Sequence, residues 1–184
     1  MNDSPDTKGD NAIARRKAVL VAVDFSEDSS AAVLWASRYA RLADARLVIL
    51  HVVHDPVETP GFYRVDKQDQ LLPMQQIAES MMSEFIAALI KRNPGDEQLE
   101  TAETILVEGL PPGRIVEVGD HLNAEIVVIG SRGMTGLSHL MLGSVAERVV
   151  EMASRPVVVV KAENRGNKKK KKKKKNKKKG KSDQ

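Results

Sequence analysis

Residues 125–150, EIVVIGSRGMTGLSHLMLGSVAERVV, decide how the fold is read. Behind Glu125 comes a short apolar run, Ile126-Val127-Val128-Ile129, too brief for a helix and rich in β-branching. Such a run reads as a fully buried parallel strand. It ends in Gly130-Ser131-Arg132-Gly133, passes through a loop with Gly136, and reaches Gly143-Ser144, where helical spacing begins with Val145, Val149 and Met152. Glycines just past a strand let backbone N–H groups curl into an anion-binding nest. A helix start adds N–H groups without partners and the positive end of its dipole. Strand, glycine loop and helix start together have the makings of a phosphate cradle. The plainer alternative is turn chemistry, with Ser144 and Glu147 as an S-x-x-E capping box that starts the helix unaided. No Gly-Lys-Ser/Thr follows the glycines, so this is no Walker loop; nor does G-x-G-x-x-G follow the first strand, as a dinucleotide fingerprint requires.

Working outward, residues 18–23 (AVLVAV) read as a buried strand ending in Asp24. Ser26 is placed to cap a helix over about 27–43 whose first turn carries Glu27 and Asp28, where negative charge is favoured. The lone Trp35 on that helix reads as core filling. Residues 46–53 (RLVILHVV) are a second buried strand, and the polar stretch 54–70 is longer than an ordinary connection, as a flap or disordered insert would be. Apolar positions from Met74 to Leu89 then mark a long amphipathic helix ending near Asn93-Pro94-Gly95. A third strand is expected at 102–107 (AETILV), stopped by Glu108-Gly109; Pro111-Pro112 opens another helix, and Val157–Val160 form a fifth strand. Strands apolar on both faces and alternating with helices predict a small doubly wound α/β domain, a five-stranded parallel sheet covered on both sides. Ligands of such sheets lie past the carboxyl ends of the strands, where the strand order reverses.

Gly130-x2-Gly133-x9-Gly143-Ser144 resembles the G-2x-G-9x-G-S/T signature of the ATP-binding branch of the universal stress proteins. VAVDFSEDS near the N-terminus, LHVV at the second strand and PVVVVK at the end resemble the same family in its order, over about residues 17–161. The resemblance implies strand order 3-2-1-4-5, with Asp24 and the glycine loop facing each other across the crevice between strands one and four. It also implies a site for ATP or another adenine nucleotide. Gly133, Gly143, Ser144 and Val145 would hold the phosphates, Ile129 and Gly130 would line the ribose, and Ala22, Val23, Asp24 and Val52 would meet the adenine and ribose. Asp24 suits ribose hydroxyls or an exocyclic amine as an acceptor, a role favoured over the plainer use of an acid at a strand end to cap a turn. Val23 stands where the family more often has threonine. Arg132 is either a cation for a terminal phosphate or a solvated loop charge. Mg²⁺ would arrive with the nucleotide, held mainly by phosphates and waters. The resemblance further implies a homodimer that pairs the edge strand Val157–Val160 with its copy, which would cover an otherwise bare edge, and an unidentified protein partner reading the nucleotide state.

The residues assign no catalyst. His51, His54, His121 and His139 are scattered, with only His139 in the glycine loop, and no Ser-His-Asp set or closely spaced metal pair is present. A response regulator would need a phosphoacceptor Asp after strand three, where Glu108-Gly109 stands. Slow ATP hydrolysis or self-phosphorylation has no residue assigned to it, and a binding module is the expectation.

Charge is unevenly spread. The formal net charge of the 184 residues is +4, yet residues 168–184 hold twelve lysines and one acid, Asp183. The preceding 167 residues carry 17 basic and 24 acidic side chains, a net −7. Residues 1–16 read as a disordered arm, 17–163 as the nucleotide-binding domain and 164–184 as a disordered polylysine tail. That tail suits electrostatic, sequence-independent attachment to nucleic acid, polyphosphate or an anionic membrane surface. With no cysteine, no apolar leader at the N-terminus and no run long enough to span a bilayer, a cytoplasmic protein is expected.

Overall fold

A computed structural model describes residues 17–54, 74–133 and 142–163. The N-terminal arm, most of the 54–70 stretch, Gly136, His139 and the lysine tail lie outside the described residues. Four strands begin within a residue of an apolar run: β1 (Ala18–Ala22), β2 (Arg46–Val53), β4 (Ile126–Gly130) and β5 (Val157–Val160). β3 (Glu103–Glu108) starts one residue later than its pattern predicts. Between them lie α1 (Glu27–Leu42), α2 (Met74–Arg92), the single turn α3 (Glu97–Glu100), α4 (Pro111–His121) and α5 (Ser144–Met152). All pairings are parallel and the sheet order is β3-β2-β1-β4-β5.

The period-2 alternation of strand side chains splits the core in two. Val19, Val21, Val23, Leu47, Ile49 and Val128 face one way, onto Ala32, Val33, Ala36 and Ala40 of α1 and Met82 and Leu89 of α2. Leu20, Ala22, Val48, Leu50, Val52, Val127 and Ile129 face the other, onto Ile115 of α4 and Ala146 and Val149 of α5. Burial on both faces explains why β1, β2 and β4 are near-continuous apolar runs. The edges differ from the expectation of strands apolar on both faces. β5 is half-buried throughout, and both ends of β3 are exposed. Charge protects the β3 edge, where Arg46 Nη1 donates to Glu103 Oε2 at 2.6 Å. Trp35 is also only half-buried: it packs on the α1 side of the core and stacks on Tyr39, ring centroids 5.4 Å apart.

Helix starts follow local chemistry. Ser26 caps α1 as its position predicts, its Oγ accepting from Ser29 N–H at 3.1 Å, with Glu27 and Asp28 in the first turn. α4 opens on Pro111 and Pro112, where missing N–H groups cost nothing. α5 does not use the capping box that is the plainer alternative for its start. Its cap residue is Gly143, and Ser144 is the first helical residue with no side-chain cap bond.

Candidate functional site

The strand order reverses between β1 and β4, whose register pairs Ala22 with Ile129. Past that point the β1–α1 turn and the loop after β4 meet. The turn is tightly bonded: Asp24 Oδ1 accepts from Ser26 N–H at 3.2 Å and from Ser29 Oγ at 2.5 Å, while Ser29 Oγ accepts from Asp24 N–H at 3.0 Å. Phe25 sits in the left-handed region at φ 66°, a costly conformation for a bulky residue. Its ring packs against His51 at 4.4 Å and edge-on to Phe85 at 5.5 Å. His51 is buried and donates Nδ1–H to Val23 O at 2.8 Å, since a carbonyl can only accept. Burial first, and then His54, hold its imidazole below the ordinary range, against the opposite pull of the Val23 carbonyl and Asp24.

Across the crevice, the glycine loop reaches this turn at Gly133. A Cβ on Gly133 would stand 2.7 Å from Asp24 Oδ2, too close to be accommodated unmoved. Asp24 thus serves the turn through one carboxylate oxygen and faces the loop with the other. The loop's ends are pinned. Ser131 N–H donates to Val160 O at 2.7 Å, Gly143 N–H donates to Ser131 O at 2.9 Å, and Ser26 Oγ reaches Arg132 O at 3.4 Å. From there α5 begins, and its first intrahelical bond is Glu147 N–H to Gly143 O. The N–H groups of Ser144, Val145 and Ala146 therefore have no acceptor within the helix.

The ten residues that the resemblance marks, and Arg132 beside them, are mostly brought to this end of the sheet, with three differences. Ala22, Val52, Ile129 and Val145 belong to one packed cluster, and Asp24, Gly130 and Gly133 lie beside it. Val23 does not share that face. Its side chain packs on the α1 side, its N–H goes to Leu50 O and its carbonyl accepts from His51. The Gly143 N–H, expected on a phosphate, is committed to Ser131 O. Arg132 is not a solvated charge, because its guanidinium lies 3.2 Å from the buried carboxylate of Asp28. Sequence reasoning missed Asp28, Ser29 and Ser131 as parts of the site; the acid pair at a helix start and the Arg in a glycine loop were the signals available. Among the described residues, no group of three or more His, Asp or Glu side chains is placed to hold a metal ion. Nor is any described helix long and apolar enough to cross a membrane.

The model of the universal stress protein family matches residues 15–161. The chain belongs to the universal stress protein family. Universal stress protein MJ0531 of Methanocaldococcus jannaschii is 32% identical over 146 residues, covering 79% of this chain and 82% of that one. MJ0577 of the same organism is 27% identical in sequence, with 80% and 96% covered. Its solved structure superposes with a TM-score of 0.58 at 26% identity, covering 81% of this chain and 98% of that one. A universal stress protein of Archaeoglobus fulgidus, solved in complex with dAMP, shares the fold at 23% identity and a TM-score of 0.54, with 78% and 97% covered.

Proposed function

We propose that this universal stress protein binds an adenine nucleotide, ATP with Mg²⁺, in the crevice past β1 and β4. It would act as a dimeric, cytoplasmic stress-response module whose nucleotide state a protein partner reads. The observation that carries the reading is the contact of Gly133 with Asp24, a close approach of loop and turn in which a Cβ on residue 133 would stand 2.7 Å from Asp24 Oδ2 and push that carboxylate aside. Turn chemistry alone would not require the third residue after the strand to lie against a carboxylate from another strand's end. The residues fit such a ligand. The N–H groups of Ser144 and Val145 and the Ser144 hydroxyl would donate to phosphate at the positive end of α5, with Gly133 letting the backbone come close. Ala22, Val52, Ile129 and Gly130 supply apolar lining, and Asp24 an acceptor for ribose or amine. Bound ATP supplies a charged triphosphate that takes Mg²⁺ with it. Half-buried β5 supports pairing with a second subunit, since a bare valine edge invites association.

Calorimetry of the full chain with Mg-ATP, beside the Gly133→Val variant, tests this. The lysine tail is common to both proteins, so saturable one-per-chain binding lost in the variant supports the crevice, and identical isotherms refute it.

A second reading rests on the lysine run. Twelve lysines within residues 168–184, behind 167 residues of net −7, suit an adaptor that parks the domain on nucleic acid, polyphosphate or an anionic membrane. Deleting residues 164–184 would then abolish a steeply salt-dependent binding and leave nucleotide affinity unchanged.

A further inference from the structure

One buried carboxylate binds together three stretches that are distant in sequence. Asp28, in the first turn of α1, is 4% exposed. Its Oδ2 accepts from Ser131 Oγ at 2.6 Å and from Arg132 Nε at 3.2 Å. Its Oδ1 accepts from Arg132 Nη2 at 3.4 Å and from the backbone N–H of Ala162, just past β5, at 3.1 Å. Both oxygens are therefore doubly engaged, and the guanidinium meets the carboxylate side-on. Burial opposes ionisation of Asp28, but the bonds from Ser131, Arg132 and Ala162 and the Arg132 charge outweigh it and hold the carboxyl below its usual range. Gly130 makes the approach possible: a Cβ there would stand 2.9 Å from the Asp28 carbonyl carbon, so strand end and helix turn touch with no side chain between them.

We propose that Asp28 is a positioning residue for phosphate recognition, holding Ser131 and Arg132 so that Gly133 and the start of α5 present their N–H groups in one fixed arrangement. The ligand in this proposal rests on the adenine-nucleotide reading. Asp28 has no oxygen left for a ligand of its own, so it acts only through the loop. Ser131 is spent in the same way. Its N–H goes to Val160 O, its carbonyl takes the Gly143 N–H that leads into α5, and its hydroxyl goes to Asp28. A shift of Asp28 would pass through Ser131 to both sides of the loop. Arg132 uses its Nε and Nη2 edge on Asp28, and the rest of its donor fork lies outside that pair.

The test compares ATP with adenosine, which offers the same base and ribose but no phosphate, on the full-length protein. Asp28→Asn keeps the volume, removes the charge and turns an NH₂ toward some of the four donors. Losing a charge-assisted bond of this kind is expected to weaken ATP binding about tenfold or more, with adenosine affinity changed less than twofold. Ser131→Ala removes only the hydroxyl that reaches Asp28. It should weaken ATP about threefold, leave adenosine unchanged, and have no further effect in the Asp28→Asn background, because the two residues act as one unit. If Asp28→Asn does not fold by circular dichroism, Ser131→Ala carries the test alone. Equal losses for ATP and adenosine would mean a merely structural role and overturn the proposal, as would unchanged ATP affinity or additive effects. A wild-type protein that binds neither ligand overturns the adenine-nucleotide reading and this proposal together. A wild type that binds both, with variants that show no selective loss, overturns this proposal alone.

Discussion

Gly130→Ala offers a sharp test of how the crevice is built, because the structure assigns its cost to specific atoms. The new Cβ would lie 2.9 Å from the Asp28 carbonyl carbon and 3.0 Å from Ser29 N, both backbone atoms of the first turn of α1. No side-chain rotation relieves such a contact, so the helix start or the end of β4 must move. Overpacking of this kind costs about 1–3 kcal/mol. The same movement stretches the bonds from Asp28 to Ser131 and Ala162, and a charged bond adds about 1.5 kcal/mol or more if lost. We expect a loss of roughly 2–4 kcal/mol, which for a domain of this size lowers Tm by roughly 5–15 °C. Gly113→Ala is the matched control. That glycine lies in α4 with nothing within 4 Å of its Cβ position, and the change should stabilise by about 0.5–1 kcal/mol. Urea unfolding followed by circular dichroism reads both variants. Shifts of opposite sign support the geometry, and a neutral or stabilising Gly130→Ala refutes the close approach of β4 to α1.

Three further expectations follow from the same contacts. Ser26→Ala removes the cap of α1 and should cost about 1 kcal/mol in urea unfolding, more than Ser30→Ala, whose hydroxyl only bonds back to Ser26 O within the helix. His51 is held neutral by burial, so the unfolded chain takes up its proton first as pH falls below about 6.5. Wild-type stability should therefore be full above that pH and decline below it until the folded His51 itself titrates, and His51→Phe should flatten this slope in urea midpoints measured from pH 7.5 to 5. Sedimentation of the full chain at micromolar concentration should return twice the monomer mass; a single monomer mass would contradict the pairing proposed for β5.

How far the sequence reached depended on how local each feature is. Runs buried on both faces, such as Val19–Ala22 and Ile126–Ile129, advertise themselves because every position must be apolar. β3 carries Glu103, Thr104 and Glu108 on an exposed edge, so its limits were less legible. α3 is one turn between Asp96 and Thr101, too short to show a period. Ser26 was readable as a cap because its partner is three residues away. Asp28 looked like another helix-start acid, since the partners that give it meaning are Ser131, Arg132 and Ala162. The face of Val23 was likewise hidden: Ala22 and Val23 are neighbours in sequence, but the pleat sends one toward α4 and α5 and the other under α1. Ser144 fits the capping-box pattern, yet the chain reaches the helix with Gly143 in the cap position, because the Gly143 N–H is bonded to Ser131 O and its carbonyl takes the Glu147 N–H.

An adenine nucleotide is proposed to occupy the crevice between β1 and β4. A titration of the isotopically labelled full chain with Mg-ATP, followed by its amide resonances, tests it residue by residue. Saturable shifts at Gly133, Ser144, Val145, Ala22 and Val52 are predicted, with none at Asn123 and Arg155, which line a cleft at the opposite end of the sheet. Shifts confined to the lysines of residues 168–184, or absent altogether, would contradict it.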